Sequence, residues 1–155
     1  YAYTIRTPQR FGLSGAYLFG QKGLLSMDYE LCDYRSAQIS SDVASDFAAV
    51  NALIGSKYRL AHNIRVGGEL NVKPLFFRAG YAMSGSPFGT VFDRSFVKNQ
   101  FSLGMGFRPG STFYVDVAWI ASMTREDYYL FTTLNTKSSL LYLNSMLSIS
   151  TGFKF

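Results

Sequence analysis

The chain has 155 residues, enough for a single domain, with 48% hydrophobic and 17% aromatic residues, 14 Gly, 4 Pro and a formal net charge of +5. Its apolar residues are dispersed, with no run near the roughly 20 that a membrane helix needs, and "YAYTIRTPQ" lacks the basic and apolar regions of a secretory leader and reads as the middle of a longer polypeptide. The basic residues are scattered from Arg10 to Lys154, which suits a solvated surface and not a nucleic-acid footprint, and one cysteine, Cys32, leaves no internal disulfide.

In chain order, the pattern that recurs is a period of two, the signature of a strand with one apolar and one polar face. Phe11, Leu13, Tyr17 and Phe19 alternate with Gly12, Ser14 and Ala16, predicting a strand over 9–19. Leu25, Met27, Tyr29 and Leu31 oppose Ser26, Asp28, Glu30 and Cys32, predicting a strand over 24–39. The stretch from Val43 to Leu53 reads as a loop holding a short helix. The parity then changes, with Tyr58, Leu60, Ile64, Val66, Leu70 and Val72 against Arg59, Asn63, Arg65, Gly67, Glu69 and Asn71 (strand 56–72). Phe77, Ala79, Tyr81 and Met83 follow in strand 75–85, and Phe101, Leu103, Met105 and Phe107 in strand 97–107. Phe113, Val115, Val117, Trp119 and Met123 mark strand 112–127, with Tyr114 and Ile120 as exceptions on the polar side. Leu143, Leu147, Ile149 and Phe153 complete a seventh strand over 140–155.

The connections also alternate. "GQKG", "KP" and "RPGS" are tight turns, whereas 40–55, 85–96 and 128–139 are long. One face is rich in Leu, Val, Ile, Phe, Tyr and Met; the other carries Gly, Ala and Ser with isolated charges. Aromatics gather near strand ends, at Phe11, Phe19, Tyr58, Phe77, Phe107, Phe113, Phe153 and Phe155. This is the band and girdle of an all-β, transmembrane, antiparallel up-and-down β-barrel. Short turns and the C-terminus would lie on the periplasmic side of a bacterial outer membrane, and terminal Phe155 is similar to the signal read by the outer-membrane insertion machinery. Seven strands cannot close such a barrel, since bacterial single-chain barrels use even numbers.

The stretches "RTPQRFGLSGAYLFGQKGLLSMDYELCDY", "SKYRLAHNIRVGGELNVKPLFFRAGYAMSGSPF" and "STGFKF" resemble the C-terminal half of the FadL long-chain fatty-acid transporter family, in a form common among Bacteroidetes. The marks are Thr7-Pro8, Asp28-Tyr29, the strand from Arg65, the strand from Arg78, Ser86-Pro87 and Phe155. The resemblance implies seven C-terminal strands of a 14-stranded barrel, passive uptake of a fatty acid or other hydrophobic small molecule, and contact with the lipid bilayer. It also implies an N-terminal half bearing a hatch that plugs the lumen, together with the family's principal substrate contacts.

Six charged residues, Asp28, Glu30, Arg65, Glu69, Arg78 and Asp116, share the predicted lumen face. Arg65 or Arg78 could meet a fatty carboxylate bidentately, but a ladder of cross-strand or barrel-to-plug ion pairs is favoured, because enclosed charges are normally paired. Asp28 and Glu30 sit two residues apart, and lumenal polarity explains them better than an acid and base pair. His62, alone of its kind and on the outer face, has no partner for a metal site or a catalytic triad; no catalytic residue, metal or cofactor is expected. Inner-face glycines, among them Gly12, Gly67, Gly80, Gly104, Gly106 and Gly152, leave room for a plug. Phe47, Phe88, Phe92 and Phe96 are expected on extracellular loops, as a groove that collects hydrophobic substrate or as packing among the loops. Two other readings stay open: a non-transporting barrel of the same family that shuttles or binds cargo proteins, and a small structural or adhesion barrel.

Overall fold

The computed structural model describes residues 2–43, 46–88, 96–110, 112–129 and 137–153. In chain order it contains β1 (Thr4–Arg6), β2 (Gln9–Leu18), β3 (Gly23–Asp33), a 3-10 turn (Tyr34–Ser36), β4 (Gln38–Ser40) and α1 (Ala48–Lys57). It continues with β5 (Leu60–Val72), β6 (Leu75–Ser84), β7 (Phe96–Phe107), β8 (Phe113–Tyr129) and β9 (Lys137–Phe153). Seven strands form one antiparallel sheet in the order β2-β3-β5-β6-β7-β8-β9, so that each pairs with its neighbours along the chain; β1 and β4 form a separate two-stranded ribbon. The fold is therefore an all-β meander.

Local chemistry moves several of the predicted ends. β2 stops at Leu18 because the chain enters a tight turn, with Gly20 at φ 60 and Lys22 N–H donating to the Phe19 carbonyl at 3.1 Å. That positive φ is a conformation glycine adopts without a Cβ clash. The strand expected to reach residue 39 stops at Asp33. Its carboxylate accepts from the Arg35 backbone N–H at 3.1 Å and from the Arg35 guanidinium at 2.8 and 2.9 Å, curling the chain into the 3-10 turn. The strand expected from residue 56 starts at Leu60, since residues through Lys57 remain in α1. The hairpin of β8 and β9 is longer at its open end than its alternation suggested, each strand having 17 residues. β6 ends at Ser84 and β7 begins at Phe96, each within a residue of expectation. Residues 154–155, and with them Phe155, lie outside the described residues.

The short helix belongs to a cap at the end of the sheet that carries the long connections. Asn51 of α1 grips the backbone of Ile39 in β4 twice, its Oδ1 accepting from the Ile39 N–H at 2.9 Å and its Nδ2 donating to the Ile39 carbonyl at 2.8 Å. In effect the side chain replaces a missing strand partner. Tyr3 and Phe47 pack nearby with ring centroids 6.5 Å apart.

Among the described residues no second layer covers either side of the sheet. Cys32, Ala61, Ser86 and Gly106 are the buried residues among those described. The chain exposes 11144 Å², against about 7,800 Å² for a compact protein of this mass. A domain normally buries one face of a sheet against a second layer; here both faces are open.

Asn51 supplies a testable link between cap and ribbon. Asn51→Ala is expected to cost about 1–2 kcal/mol of local stability, seen as faster amide hydrogen exchange in α1 and at Ile39 with unchanged exchange in the seven-stranded sheet. Unchanged exchange in α1 would show that the helix is held by other contacts.

Candidate functional site

Residues paired across antiparallel strands lie on the same face, so the register sorts every side chain. One face reads, row by row, Leu13–Tyr29–Ile64–Met83–Asn99–Met123–Leu143, then Tyr17–Leu25–Gly68–Ala79–Leu103–Trp119–Leu147, each row crossing all seven strands. Many of these apolar side chains are exposed, among them Leu13, Leu25, Leu103 and Leu147. Polar groups on this face bond to one another: the Tyr29 hydroxyl to His62 Nδ1 at 2.7 Å, Tyr81 to Asn99 at 2.7 Å, and Trp119 Nε1–H to Ser145 at 2.8 Å. Near the tight turns the face ends in rings, with Phe113 and Phe153 5.1 Å apart and Tyr17 and Phe19 4.8 Å apart.

The opposite face holds all six of the charged residues singled out from the sequence, and the structure brings them into ion pairs. Arg65 Nη1 donates to Asp28 Oδ2 at 3.0 Å across β3 and β5. Glu30 accepts from Asn63 Nδ2 at 2.8 Å and has Arg10 3.9 Å away. Arg78 bridges two carboxylates, donating from Nε to Glu69 at 2.6 Å and from Nη1 to Asp116 at 2.8 Å. Arg108 reaches the other Asp116 oxygen at 3.5 Å, and its guanidinium lies 4.7 Å from the Phe76 ring centroid and 5.9 Å from that of Tyr114. Both arrangements are within cation–π reach.

Arg78 and Asp116 belong to β6 and β8, which are separated by β7, so their strands lie about 10 Å apart. The side chains meet because Gly104 and Gly106 of β7 lie beneath them; a Cβ at Gly106 would stand 2.5 Å from the Asp116 Oδ1. Tyr114 likewise lies over Gly152, where a Cβ would collide with its ring. These two inner-face glycines therefore make room for neighbouring side chains of the sheet itself, a correction to the expectation of space for a plug. Beside them, towards β3 and β5, a trough of about 940 Å³ is bordered by Asp28, Arg65, Glu69, Arg78, Gln100 and Ser102.

The four loop aromatics divide. Phe47 and Phe88 are half-buried in the cap, Phe88 against Tyr58 with centroids 5.8 Å apart; Phe92 lies outside the described residues. Phe96 is the first residue of β7 and pairs with Glu126 on the polar face, so it is a sheet residue and not a loop residue. The register keeps Ser14 and Asn63 on the polar face, as their alternation placed them, and adds Lys98, which had not stood out in the sequence; Arg108, just past the end of β7, joins that face through Asp116. At the cap, burial pushes the Tyr34 hydroxyl above its ordinary pKa, with the adjacent Cys32 thiol next in effect. Cys32 and its partner Ala61 are buried on the polar face, so the 3-10 turn covers that face at its outer end. The Asp33 carboxylate, by hydrogen bond and then by charge, holds Arg35 even more firmly protonated than usual.

Among the described residues no cluster of three or more His, Cys, Asp or Glu could hold a metal ion, and no helix is long and apolar enough to cross a membrane. Comparison with protein-family models, with curated proteins and with solved structures finds no match. The described residues define a class: a single-layer antiparallel meander with one apolar face and one ion-paired face.

Removing the bridging cation isolates its role. Arg78→Met leaves Glu69 and Asp116 without their shared partner, and the expected loss is about 1–2 kcal/mol, at the modest end for ion pairs because the Arg78 side chain is 36% exposed. Thermal unfolding in detergent, followed by the circular dichroism of the sheet, measures it, and adding Glu69→Gln with Asp116→Asn should recover most of the loss. No loss in the single variant would show that the bridge carries no stability.

Proposed function

We propose that the chain forms part of the wall of a transmembrane β-barrel in a bacterial outer membrane, and that the barrel passes long-chain fatty acids or similar hydrophobic small molecules. The observation that carries the reading is the pair of uncovered faces. A soluble antiparallel sheet solvates one face and packs the other, whereas a barrel wall faces lipid with one and an enclosed lumen with the other. The pairing of Tyr81 with Asn99 and of Trp119 with Ser145 suits a face without water, where an unbonded polar group is costly. Strands of 10 to 17 residues meet the 9 to 11 tilted residues that a bilayer takes.

Two further features support the same reading. Following the pairs from Leu18 across the sheet leads to Ser148, five residues before the end of β9 at Phe153. That stagger of about one residue per strand is of the kind that tilts strands in a barrel. The tight turns and the end of β9 share one side of the sheet, and the long connections share the other, which matches the periplasmic and extracellular sides of outer-membrane barrels. The likeness of "RVGGEL", "RAGY" and the closing strand to the fatty-acid transporter family points to the substrate class. A barrel of the same kind that binds a protein instead has one observation in its favour: Val43, Val50 and Leu53 are exposed in the cap. No catalytic step belongs to the proposal.

Topology and activity are tested together. With the native Cys32 buried, Ala49→Cys on the cap should react with a membrane-impermeant maleimide on intact cells, and Gly110→Cys in a tight turn should react after lysis alone. Leu103→Arg, at mid-height on the apolar face, should cost about 2–4 kcal/mol of barrel stability. Cells bearing the protein should take up oleate faster than cells without it. Labelling of Gly110→Cys from outside would reverse the orientation, a costless Leu103→Arg would remove the lipid contact, and absent uptake would favour the protein-binding reading.

A further inference from the structure

We propose that the polar face carries, beside its ion-paired wall, a binding strip formed by Phe96, Ile120, Tyr142 and Met146, which holds the apolar tail of an acidic amphiphile whose head group meets Lys98. The proposal rests on the transport reading above and names the part of the wall along which the molecule moves.

The strip comes from a local failure of alternation. In β9 the residues Leu140, Leu141, Tyr142 and Leu143 are apolar in succession, so this segment is apolar on both faces, as strands covered on both sides are. The register places Leu141 and Leu143 with the apolar face, and Leu140 and Tyr142 with the polar one. Beyond the intervening polar pair Ser122–Asn144, Met146 and its partner Ile120 bring apolar side chains back onto the polar face. Tyr142 is 52% exposed and Met146 55% exposed. A strand added at the free edge of β9 would satisfy its backbone but would leave these side chains facing into the enclosed space. Their cover has to come from within that space.

Charge selects the occupant. Arg10, Arg65, Arg78 and Arg108 on this face each have a carboxylate within 3.9 Å. Lys98 has no such partner within 4.0 Å among the described residues. It lies in the row Ser84–Lys98–Thr124–Tyr142, with two hydroxyl side chains beside it and the aromatic ring at the end of the row. Glu126 is the carboxylate in the next row outward, between Phe96 and Leu140, and forms no ion pair with Lys98. Four residues further along the strands, about 13 Å, come Ile120 and Met146. A cation with no carboxylate partner among the described residues, with Tyr142 in its own row, Phe96 and Leu140 one row outward and Ile120 and Met146 two rows inward, complements an acid with a long tail and offers nothing comparable to an uncharged polar solute.

Three substitutions in the full-length protein test this, with oleate and oleyl alcohol as probes. Lys98→Gln should lower oleate uptake about tenfold, the effect of one charge-assisted hydrogen bond, and leave oleyl alcohol uptake as it was. Met146→Lys should lower uptake of both, with the unfolding temperature of each variant unchanged. Oleate uptake that is unaffected by Lys98→Gln overturns the head-group site. A lowered unfolding temperature in Met146→Lys, matched by a smaller drop in Met146→Ser, would show that the strip packs against protein and would overturn the tail site. Wild-type protein that takes up neither probe sinks the transport reading as well, whereas normal wild-type uptake with unaffected variants sinks the strip alone.

Discussion

A β-sheet with no second layer has to find two different covers, and the rest of this molecule follows from that constraint. The hydrophobic effect requires the apolar face, with exposed residues such as Leu103, Leu143 and Ile149, to leave water. The other face cannot do the same, because it carries Asp28, Glu30, Glu69 and Asp116 with their arginines, and ions are expensive to bury even when paired. Packing the sheet onto a second protein layer would satisfy one face. It would leave the other as an unusually charged and glycine-rich surface, whose ion pairs are more precisely matched than exposed pairs need to be.

Much of the fold was legible in the sequence because the two faces differ so strongly. Slipping a strand by one residue would move Leu25, Met27 and Tyr29 to the polar side and Asp28 and Glu30 to the apolar side, so the alternation itself fixes the seven strands. The misreadings lie where that contrast is absent. β1 and β4 are three residues each, too short for a period to show, and their pairing of Thr4 with Ser40 spans a connection that the sequence does not measure. The end of β3 depends on Asp33 choosing the Arg35 side chain and backbone over another ladder bond, a competition between local and sheet hydrogen bonds that composition does not decide.

The charged residues show the same divide. Glu69 opposite Arg78 follows from the two-residue turn at Lys73 and Pro74, since the hairpin counts outward equally on each side. Asp28 opposite Arg65 does not follow, because 26 residues separate β3 from β5 and their register is set in three dimensions. The bond from Arg78 to Asp116 is further still from a sequence reading, as it crosses an intervening strand and depends on the absence of side chains at Gly104 and Gly106. Glycine in a strand weakens it by entropy and lost packing. Here the two glycines leave room for a bridge between β6 and β8, strands that are not neighbours, across β7.

Strand direction constrains how the sheet could be completed. The sheet has an odd number of antiparallel strands, so β2 and β9, at its two edges, run the same way. Joining them directly, or joining β9 to the β2 of a second copy standing upright beside it, would create a parallel seam in a sheet that is otherwise antiparallel. Under the proposed membrane reading, where lipid tolerates no open edge, an antiparallel closure needs an odd number of further strands. Both the one strand of a small barrel and the seven of the resembled family meet that condition. In either closure the five-residue displacement between β2 and β9 at the turn side becomes part of the shear that tilts a barrel's strands against its axis, since each added strand shifts the register in the same sense.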